Sequence, residues 1–485
     1  MTGLAPLLIA ISLLLIVSIV ISRGAGRFGI PALAIFLVIG VIVGQIEPVE
    51  PAITPTFAQT LGILALVFIL HAGGLGTRLE DVRGIRASGF VLSTAGVLLS
   101  TALVAGFAVT VLHFDWLRGA LLGATISATD VAAVFSVLRA RGVGLRGRIR
   151  PLLELESALN DPMSLFLSVG LLVLIAHPGA SLFTLVPVFL EQMALGAGVG
   201  LLAGRVTRWA TNRANLEFEG LYPVLSVAFV LLTFGVTQAV GGSGFLAVYV
   251  SGIVRASKTH VHQRSLASFH DGLAWLMQIA MFLTMGLLVR PQELYAVAGA
   301  GLALSAFLVF AARPLSVLLC LMPFRFALRD QLMVAWGGLR GAVPIVLATY
   351  PLIENVPGAR LIFVLVFFVV LTSVAVQGTT IPIVSTWLRV ADPIAKPFRY
   401  PIEFNPTGDH ASELVEVPVP ARSEAIGRTL VELALPAGAL IVLIRRGNQV
   451  VVPSGGTRIE ASDRLLVLAE PTTMAELRAR IERSA

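Results

Sequence analysis

The chain has 485 residues, of which 56% are hydrophobic and only 13% charged, and it carries a formal net charge of +7. Soluble domains carry roughly a quarter charged residues, so most of this chain must lie in lipid. The basic excess would suggest nucleic-acid binding if it were gathered on a soluble face, but its distribution along the chain excludes that reading. The single cysteine, Cys320, lies in an apolar run. It excludes an internal disulfide framework and reads as small apolar filler.

Apolar stretches recur from residue 4 to about residue 390, each close to the ~20 residues that a spanning helix needs. They predict about thirteen spans, near 4–22, 29–46, 57–76, 87–112, 117–138, 151–176, 182–209, 217–239, 241–256, 270–289, 293–321, 329–352 and 359–389. The first has no positive residue before it and no small-residue cleavage site after it, and it ends at Arg23 and Arg27. It reads as an anchored span rather than a cleaved signal peptide. With the N-terminus outside, the loops after the odd-numbered spans and the segment after the last span hold 21 Arg and Lys residues. The opposite loops hold only Arg118, Arg290 and Arg360. The positive-inside rule predicts this division for a protein of the bacterial inner membrane with a cytoplasmic C-terminus. The basic balance is therefore topological, and no nucleic-acid partner is expected.

Two spans are interrupted by polar or helix-breaking residues. The fifth carries Ser127-Ala128-Thr129-Asp130, and the twelfth carries Gly337-Gly338-Leu339-Arg340-Gly341-Ala342-Val343-Pro344. Paired interrupted segments at matching positions of two halves point to a transport site. The thirteen spans then divide as six, one connector and six, an inverted repeat inferred from topology, since no clear residue identity links the halves. The expected fold is an all-α polytopic membrane protein with discontinuous crossing helices over residues 1–390. From Ala391 to Ser412 four prolines mark a linker. Residues 413–485 read as a small cytoplasmic α+β module. Its strands are expected at Leu414–Val419, Leu440–Arg445, Gln449–Val452 and Arg464–Ala469, with a hairpin turn at Gly447-Asn448. Its helices are expected at Ala425–Leu433 and Thr473–Arg483.

A charge at the centre of a span costs roughly 2.5–3.5 kcal/mol. Against that cost, Asp130, Glu154, Glu156 and Asp161 fall within two consecutive spans. On the sixth, Glu156, Ser157, Asn160 and Asp161 share a face, because residues four apart lie one turn above each other. Glu154 sits nearer the cytoplasmic start. A set of interfacial loop residues, or a fixed polar knot, would be the bland reading. Asn160-Asp161-Pro162 instead runs directly into the apolar stretch Met163–Ile175, which places it inside the span. Carboxylate, carboxamide and hydroxyl together form a hard-oxygen set suited to Na⁺ or K⁺. An isolated buried carboxylate must be neutralised, by a proton or by a cation, and competition between the two is the minimum machine for antiport. Thr129 and Asp130 sit where the fifth helix is expected to unwind, freeing backbone carbonyls for coordination. Arg340 cannot shed its proton and needs a partner, for which Glu156 is the candidate, as a structural ion pair. Arg313, followed by Pro314, has no assignment and could equally snorkel at the cytoplasmic boundary.

Three runs together carry a family resemblance: Ala124-Thr125-Ile126-Ser127-Ala128-Thr129-Asp130, then Glu154-Leu155-Glu156-Ser157-Ala158-Leu159-Asn160-Asp161-Pro162, then Gly338-Leu339-Arg340-Gly341-Ala342. The membrane part resembles the cation:proton antiporter-1 family of the NhaP type. The resemblance implies that Asp161 binds the ion and the proton, that Thr129, Ser157 and Asp130 contribute to the ion site, and that Glu156 and Arg340 form a stabilising pair. Asn160 resembles the electroneutral members, whose electrogenic relatives carry a second Asp there. The family also implies a homodimer with separate core and interface domains. The tail is similar to the RCK C-terminal (TrkA-C) module, through Ala425–Leu430, Leu443–Gly447 and Ile459–Leu465. Such modules dimerise, bind small regulators such as nucleotides, and recur on potassium transporters, which shifts the expected cation toward K⁺ over Na⁺.

Other readings have less behind them. A cation channel would use rings of ligands from several subunits, whereas this cluster comes from two spans of one chain. An intramembrane hydrolase would need a Ser-His or paired-Asp site, in which Asn160 and the Arg340 motif have no role, so neither an enzyme nor a cofactor is expected. Gly142-x-Gly144-x-x-Gly147 matches dinucleotide-binding spacing but follows a span inside an Arg-rich loop, with no βαβ unit around it. His260 and His262 read as a solvated basic loop, and His71 as a packed or interfacial histidine.

Overall fold

The computed structural model describes residues 4–28, 31–45, 54–77, 84–177, 183, 185–257, 262–393, 413–420, 423–447 and 449–481. The chain divides into two units, Met1–Lys396 and Pro397–Ala485. In the first unit the helices run, in chain order, α1 (Leu4–Phe28), α2 (Ala32–Val43), α3 (Pro55–Gly76), α4 (Arg86–Thr110), α5 (Trp116–Ile126), α6 (Val131–Ala140) and α7 (Ile149–Ala176). They continue as α8 (Leu185–Arg213), α9 (Leu221–Ala239), α10 (Gly244–Ala256), α11 (Gln263–Leu287), α12 (Pro291–Ala296), α13 (Ala298–Phe307), α14 (Arg313–Leu321), α15 (Leu328–Trp336), α16 (Ala342–Ile353) and α17 (Ala359–Trp387). Among the described residues, nine helical segments are long and apolar enough to cross a bilayer. Shorter apolar helices accompany them at Ser12–Ile21, Ala32–Val43, Gly244–Ala256 and Ala342–Ile353.

The two interruptions read from the sequence are real breaks. Between α5 and α6 the chain leaves helical geometry after Ile126, and Asp130 caps the next helix by accepting the Ala133 N–H at 3.0 Å. Between α15 and α16 the glycines at 337, 338 and 341 release the chain, since each costs a helix interior about 1 kcal/mol. Pro344 falls in the first turn of α16, where a missing N–H has no intrahelical acceptor to lose. A third irregularity was not foreseen. Helix α13 passes through a π turn at Leu308–Ala312 before continuing as α14, so that the Arg313 N–H reaches the Leu308 carbonyl. The widened turn makes room for Pro314, which in a regular helix would clash with the carbonyl four residues back.

These helices form two packed groups. Helix α3 lies against α10 and α11, with α2 on α11 and α8 on α10, while α4 lies against α5, α7 and α14. Contacts of α3 with α16 join the groups. Lipid tails offer no hydrophobic drive for helix association, so close approach through small residues does the work. At the α2–α11 crossing a Cβ added at Gly286 would lie 2.5 Å from the Leu37 carbonyl oxygen, and one added at Gly40 would lie 2.3 Å from that of Leu283.

The expected linker begins later than its composition suggested. Ala391–Pro393 form a short strand, β2, antiparallel to β1 (Val143–Leu145). The Gly142–Gly147 stretch, read as part of an Arg-rich loop, is thus partly a strand, with Gly142 and Gly147 at φ +67° and +62° on either side of it. Residues 394–412 lie outside the described residues, as do His260 and Asn448.

The second unit is a four-stranded antiparallel sheet of order β3-β6-β4-β5, made of β3 (Glu413–Pro418), β4 (Leu440–Arg446), β5 (Gln449–Val451) and β6 (Arg464–Ala469). Helix α18 (Pro471–Ile481) closes it, and Val417, Ile441, Ile444, Leu465, Val467, Leu477 and Ile481 form its core. The helix expected at Ala425–Leu433 does not form. Gly427 takes a left-handed φ of +83° and gives its N–H to the Ile459 carbonyl. Thr429 and Glu432 then close a reciprocal turn through the Thr429 N–H (2.8 Å) and the Glu432 N–H (3.3 Å).

Replacing Gly286 with Val should separate α2 from α11 and lower the yield of folded protein several-fold. Size-exclusion profiles after detergent extraction read this directly, and a wild-type profile would contradict the close crossing.

Candidate functional site

The two breaks meet. The Asp130 N–H donates to the Leu339 carbonyl at 2.7 Å. Arg340 reaches across, its Nη1 donating to the carbonyls of Ser127 at 2.6 Å and Ala128 at 3.1 Å. These are carbonyls that the end of α5 leaves without helical partners, and the guanidinium also complements the negative end of that helix. Its own backbone N–H donates to Ser373 Oγ at 2.9 Å, and Ser373 donates to Gln377 Oε1 at 2.5 Å. Gln377 in turn holds the Trp336 carbonyl at 2.9 Å, at the end of α15. Gly341 stands so close to Asp130 that an added Cβ would fall 2.4 Å from the Asp130 Cβ. Only glycine fits that position.

Helix α7 brings the remaining residues to this crossing. Ser157 Oγ donates to the Thr129 carbonyl at 2.7 Å and accepts the Val131 N–H at 3.4 Å. Asn160 Nδ2 donates to Thr129 Oγ1 at 2.7 Å, and its Oδ1 accepts the Thr129 N–H at 3.4 Å. The structure therefore brings Thr129, Asp130, Ser157, Asn160 and Asp161 together around one break. The freed carbonyls expected for coordination are already bonded: Ser127 and Ala128 to Arg340, Thr129 to Ser157. Asp161 differs from the rest. It is 7% exposed, and its Oδ1 has no hydrogen-bond partner among the described residues.

Asp161 faces a narrow cavity of about 10 Å³, close to the least that holds one water. The walls are Ile63, Leu66 and Leu70 of α3 and Phe245 of α10 on one side. On the other stand Leu165 beside Asp161 and Val343, Val346, Leu347 and Tyr350 of α16. The free carboxylate thus sits at the boundary between the two helix groups.

One pairing differs from expectation. Glu156 bonds to Arg313, not Arg340, in a two-pronged pair with Nη1–Oε1 at 2.5 Å and Nη2–Oε2 at 2.8 Å. Both side chains are buried, at 1% and 4% exposure, so Arg313 does not snorkel to the boundary. Arg340 instead directs Nη1 to two carbonyls, and among the described residues it forms no ion pair with a carboxylate. Glu154 bonds to Arg150 one turn away, at 3.0 Å. The sequence reading missed Arg313 as the partner and Ser373 and Gln377 as supports of the break. Two polar residues four apart in the apolar 359–389 run were the available signal for the last two.

Comparison with known proteins agrees with this geometry. A family model described as sodium/hydrogen exchanger, transmembrane, matches residues 11–387. The chain belongs to that exchanger family. A TrkA-C domain model matches residues 414–482. The exchanger is 38% identical over 474 residues to a K(+)/H(+) antiporter NhaP2 of Shewanella sp. (strain ANA-3), covering 96% of this chain and 81% of that one. It is 40% identical over 389 residues to a K(+)/H(+) antiporter NhaP of Alkalimonas amylolytica, covering 80% and 67%. Among solved structures it is similar to the sodium proton antiporter MjNhaP1 from Methanocaldococcus jannaschii at pH 8. There the TM-score is 0.67 and the identity 24%, covering 79% of this chain and 99% of that one.

Breaking a buried ion pair by removing one partner costs about 3–5 kcal/mol, because the other charge is left uncompensated. Arg313→Met and Glu156→Gln should each lower the thermal unfolding midpoint markedly, and the double variant by less than the sum. A cycle pairing Glu156→Gln with Arg340→Met should show no comparable coupling. Strong coupling there, and none with Arg313, would reverse the assignment.

Proposed function

We propose that this exchanger trades a monovalent cation, K⁺ ahead of Na⁺, for protons by alternating access, with Asp161 as the residue that holds either one. The observation that carries the reading is the unpartnered, buried Asp161 oxygen at the boundary of two helix groups. The other polar members of the cluster have hydrogen-bond partners, Ser157 and Asn160 on Thr129 and Asp130 on the Ala133 N–H. Thr129, Asp130, Ser157 and Asn160 shape the site and add oxygen ligands as the break adjusts around an ion. A single carboxylate neutralised by one proton or one monovalent cation gives one-for-one, electroneutral exchange, and Asn160 adds a ligand without adding charge.

The preference for K⁺ is supported by the Shewanella and Alkalimonas relatives, whose names specify K(+)/H(+) antiport, and by the TrkA-C tail. A Na(+)/H(+) antiporter NhaH of Halobacillus aidingensis, 28% identical over 403 residues, supports Na⁺ as the second reading. In this reading the protein is a homodimer in the bacterial plasma membrane with thirteen crossings, its N-terminus outside and its tail in the cytoplasm, where a small ligand regulates it. It catalyses no covalent chemistry.

Asp161→Asn should abolish exchange of K⁺, Na⁺ and Li⁺ in proteoliposomes with a lumenal pH reporter, while the unfolding profile stays near wild type. Normal exchange by that variant would sink the mechanism. Because proton and cation compete for one group, each unit fall in pH in the proton-bound range should raise the half-saturating K⁺ concentration, approaching about tenfold. A half-saturating concentration that stays constant while the maximal rate falls would show that the two ions bind at separate sites.

A further inference from the structure

Away from the Asp161 cavity, a second polar cluster is buried on the side of the membrane unit that carries the Arg139–Arg150 loop. Its centre is Arg255, at the end of α10. The side chain is 0% exposed, and among the described residues it has no acidic partner. Its Nη1 donates to Ser226 Oγ at 2.5 Å, while Nε and Nη2 have no partner among the described residues. Arg208 bonds to the carbonyl of Val254, the residue before Arg255, at 3.1 Å.

Ser226 Oγ accepts the Arg255 N–H and shares a second hydrogen bond with His270 Nε2, 2.6 Å away. His270 Nδ1 is buried and has no partner among the described residues. His71 packs edge-on against His270, with ring centroids 4.9 Å apart. It turns Nδ1 to the Val248 carbonyl at 3.3 Å, and its Nε2 likewise has no partner among the described residues. A buried guanidinium cannot escape its cost by losing a proton, and an uncompensated one costs several kcal/mol. Arg255 lines a cavity of about 20 Å³, together with Leu75 at the end of α3, Ala256, and Gln263, Leu266 and Ala267 at the start of α11. Leu75, Ala256, Gln263 and Ala267 are all partly exposed.

We propose that this pocket binds a phosphate-type oxyanion on the Arg255 guanidinium, with Ser226 and His270 holding the guanidinium in place. The two open donors on adjacent nitrogens match the fork that guanidinium offers to such oxygens. Basic pockets between helix ends at the cytoplasmic face are where phosphate headgroups are taken. The cavity admits the oxygen end of a ligand and is too small for a nucleotide base. The source is either the phosphodiester of an anionic lipid or free phosphate.

The test uses the full-length protein in a phosphate-free maltoside detergent, following thermal unfolding while titrating inorganic phosphate and, separately, short-chain phosphatidylglycerol. Chloride at matched ionic strength is the control. A ligand that binds only the folded state raises the midpoint saturably. Saturable stabilisation by inorganic phosphate assigns a soluble source, and stabilisation by phosphatidylglycerol alone assigns a lipid source. In either case Arg255→Gln should weaken the response by about tenfold or more. Absence of a saturable response to both probes, or an equal response in Arg255→Gln, overturns the proposal. Should Arg255→Gln fail to fold, Ala267→Phe, which fills the cavity from a partly exposed position, is read by the same criterion.

Discussion

Where α5 and α15 break inside the membrane unit, backbone groups lose their helical partners in a medium that offers no water to replace them. Each such group left bare in hydrocarbon costs several kcal/mol. Arg340 answers this on one side by donating to the carbonyls of Ser127 and Ala128, and the Asp130 N–H answers it on the other by donating to Leu339. The two broken helices therefore complete each other, and neither break is tolerable alone. Ser373 and Gln377 fix the strand of chain that carries Arg340, and the absence of a side chain at Gly341 lets Asp130 come close enough to cap α6.

This crossing divides the polar residues of the membrane interior into two kinds. Glu156 and Arg313 neutralise each other, and Asn160, Ser157 and Asp130 complete the backbone of the break or the cap that follows it. A residue whose polar atoms are matched can be buried at little cost and has no call for a visiting ion. Asp161 is held beside these groups by the same helix but is not bonded into them, so its charge must be met by something that arrives. Under the exchange proposed here, that separation makes one carboxylate responsive while its neighbours keep their places.

Much of this was legible in the sequence, and the limits have physical causes. The glycines near 340 and the Ser-Ala-Thr-Asp run located both breaks because helix-breaking residues act locally. The face shared by Ser157, Asn160 and Asp161 follows from the turn of a helix. Which arginine meets Glu156 is a question of distances between helices far apart in sequence, and spacing alone cannot answer it. Arg255 falls at the end of the span predicted at 241–256, and apolar content alone does not say whether a long basic side chain there points outward or back into the bundle. In the soluble unit, the helix expected at 425–433 failed because Gly427 could adopt a left-handed turn that satisfies Ile459, and a pattern of apolar residues does not reveal that competitor.

The walls around Asp161 carry one more consequence. On the side of α3 and α10 they are Ile63, Leu66, Leu70 and Phe245, and on the facing side of α16 they are Val343, Val346, Leu347 and Tyr350. Under the exchange proposed here, sliding along this seam exchanges one apolar neighbour for another, whereas pulling the broken helices apart ruptures the hydrogen bonds of the crossing. The arrangement then favours lateral displacement over tilting.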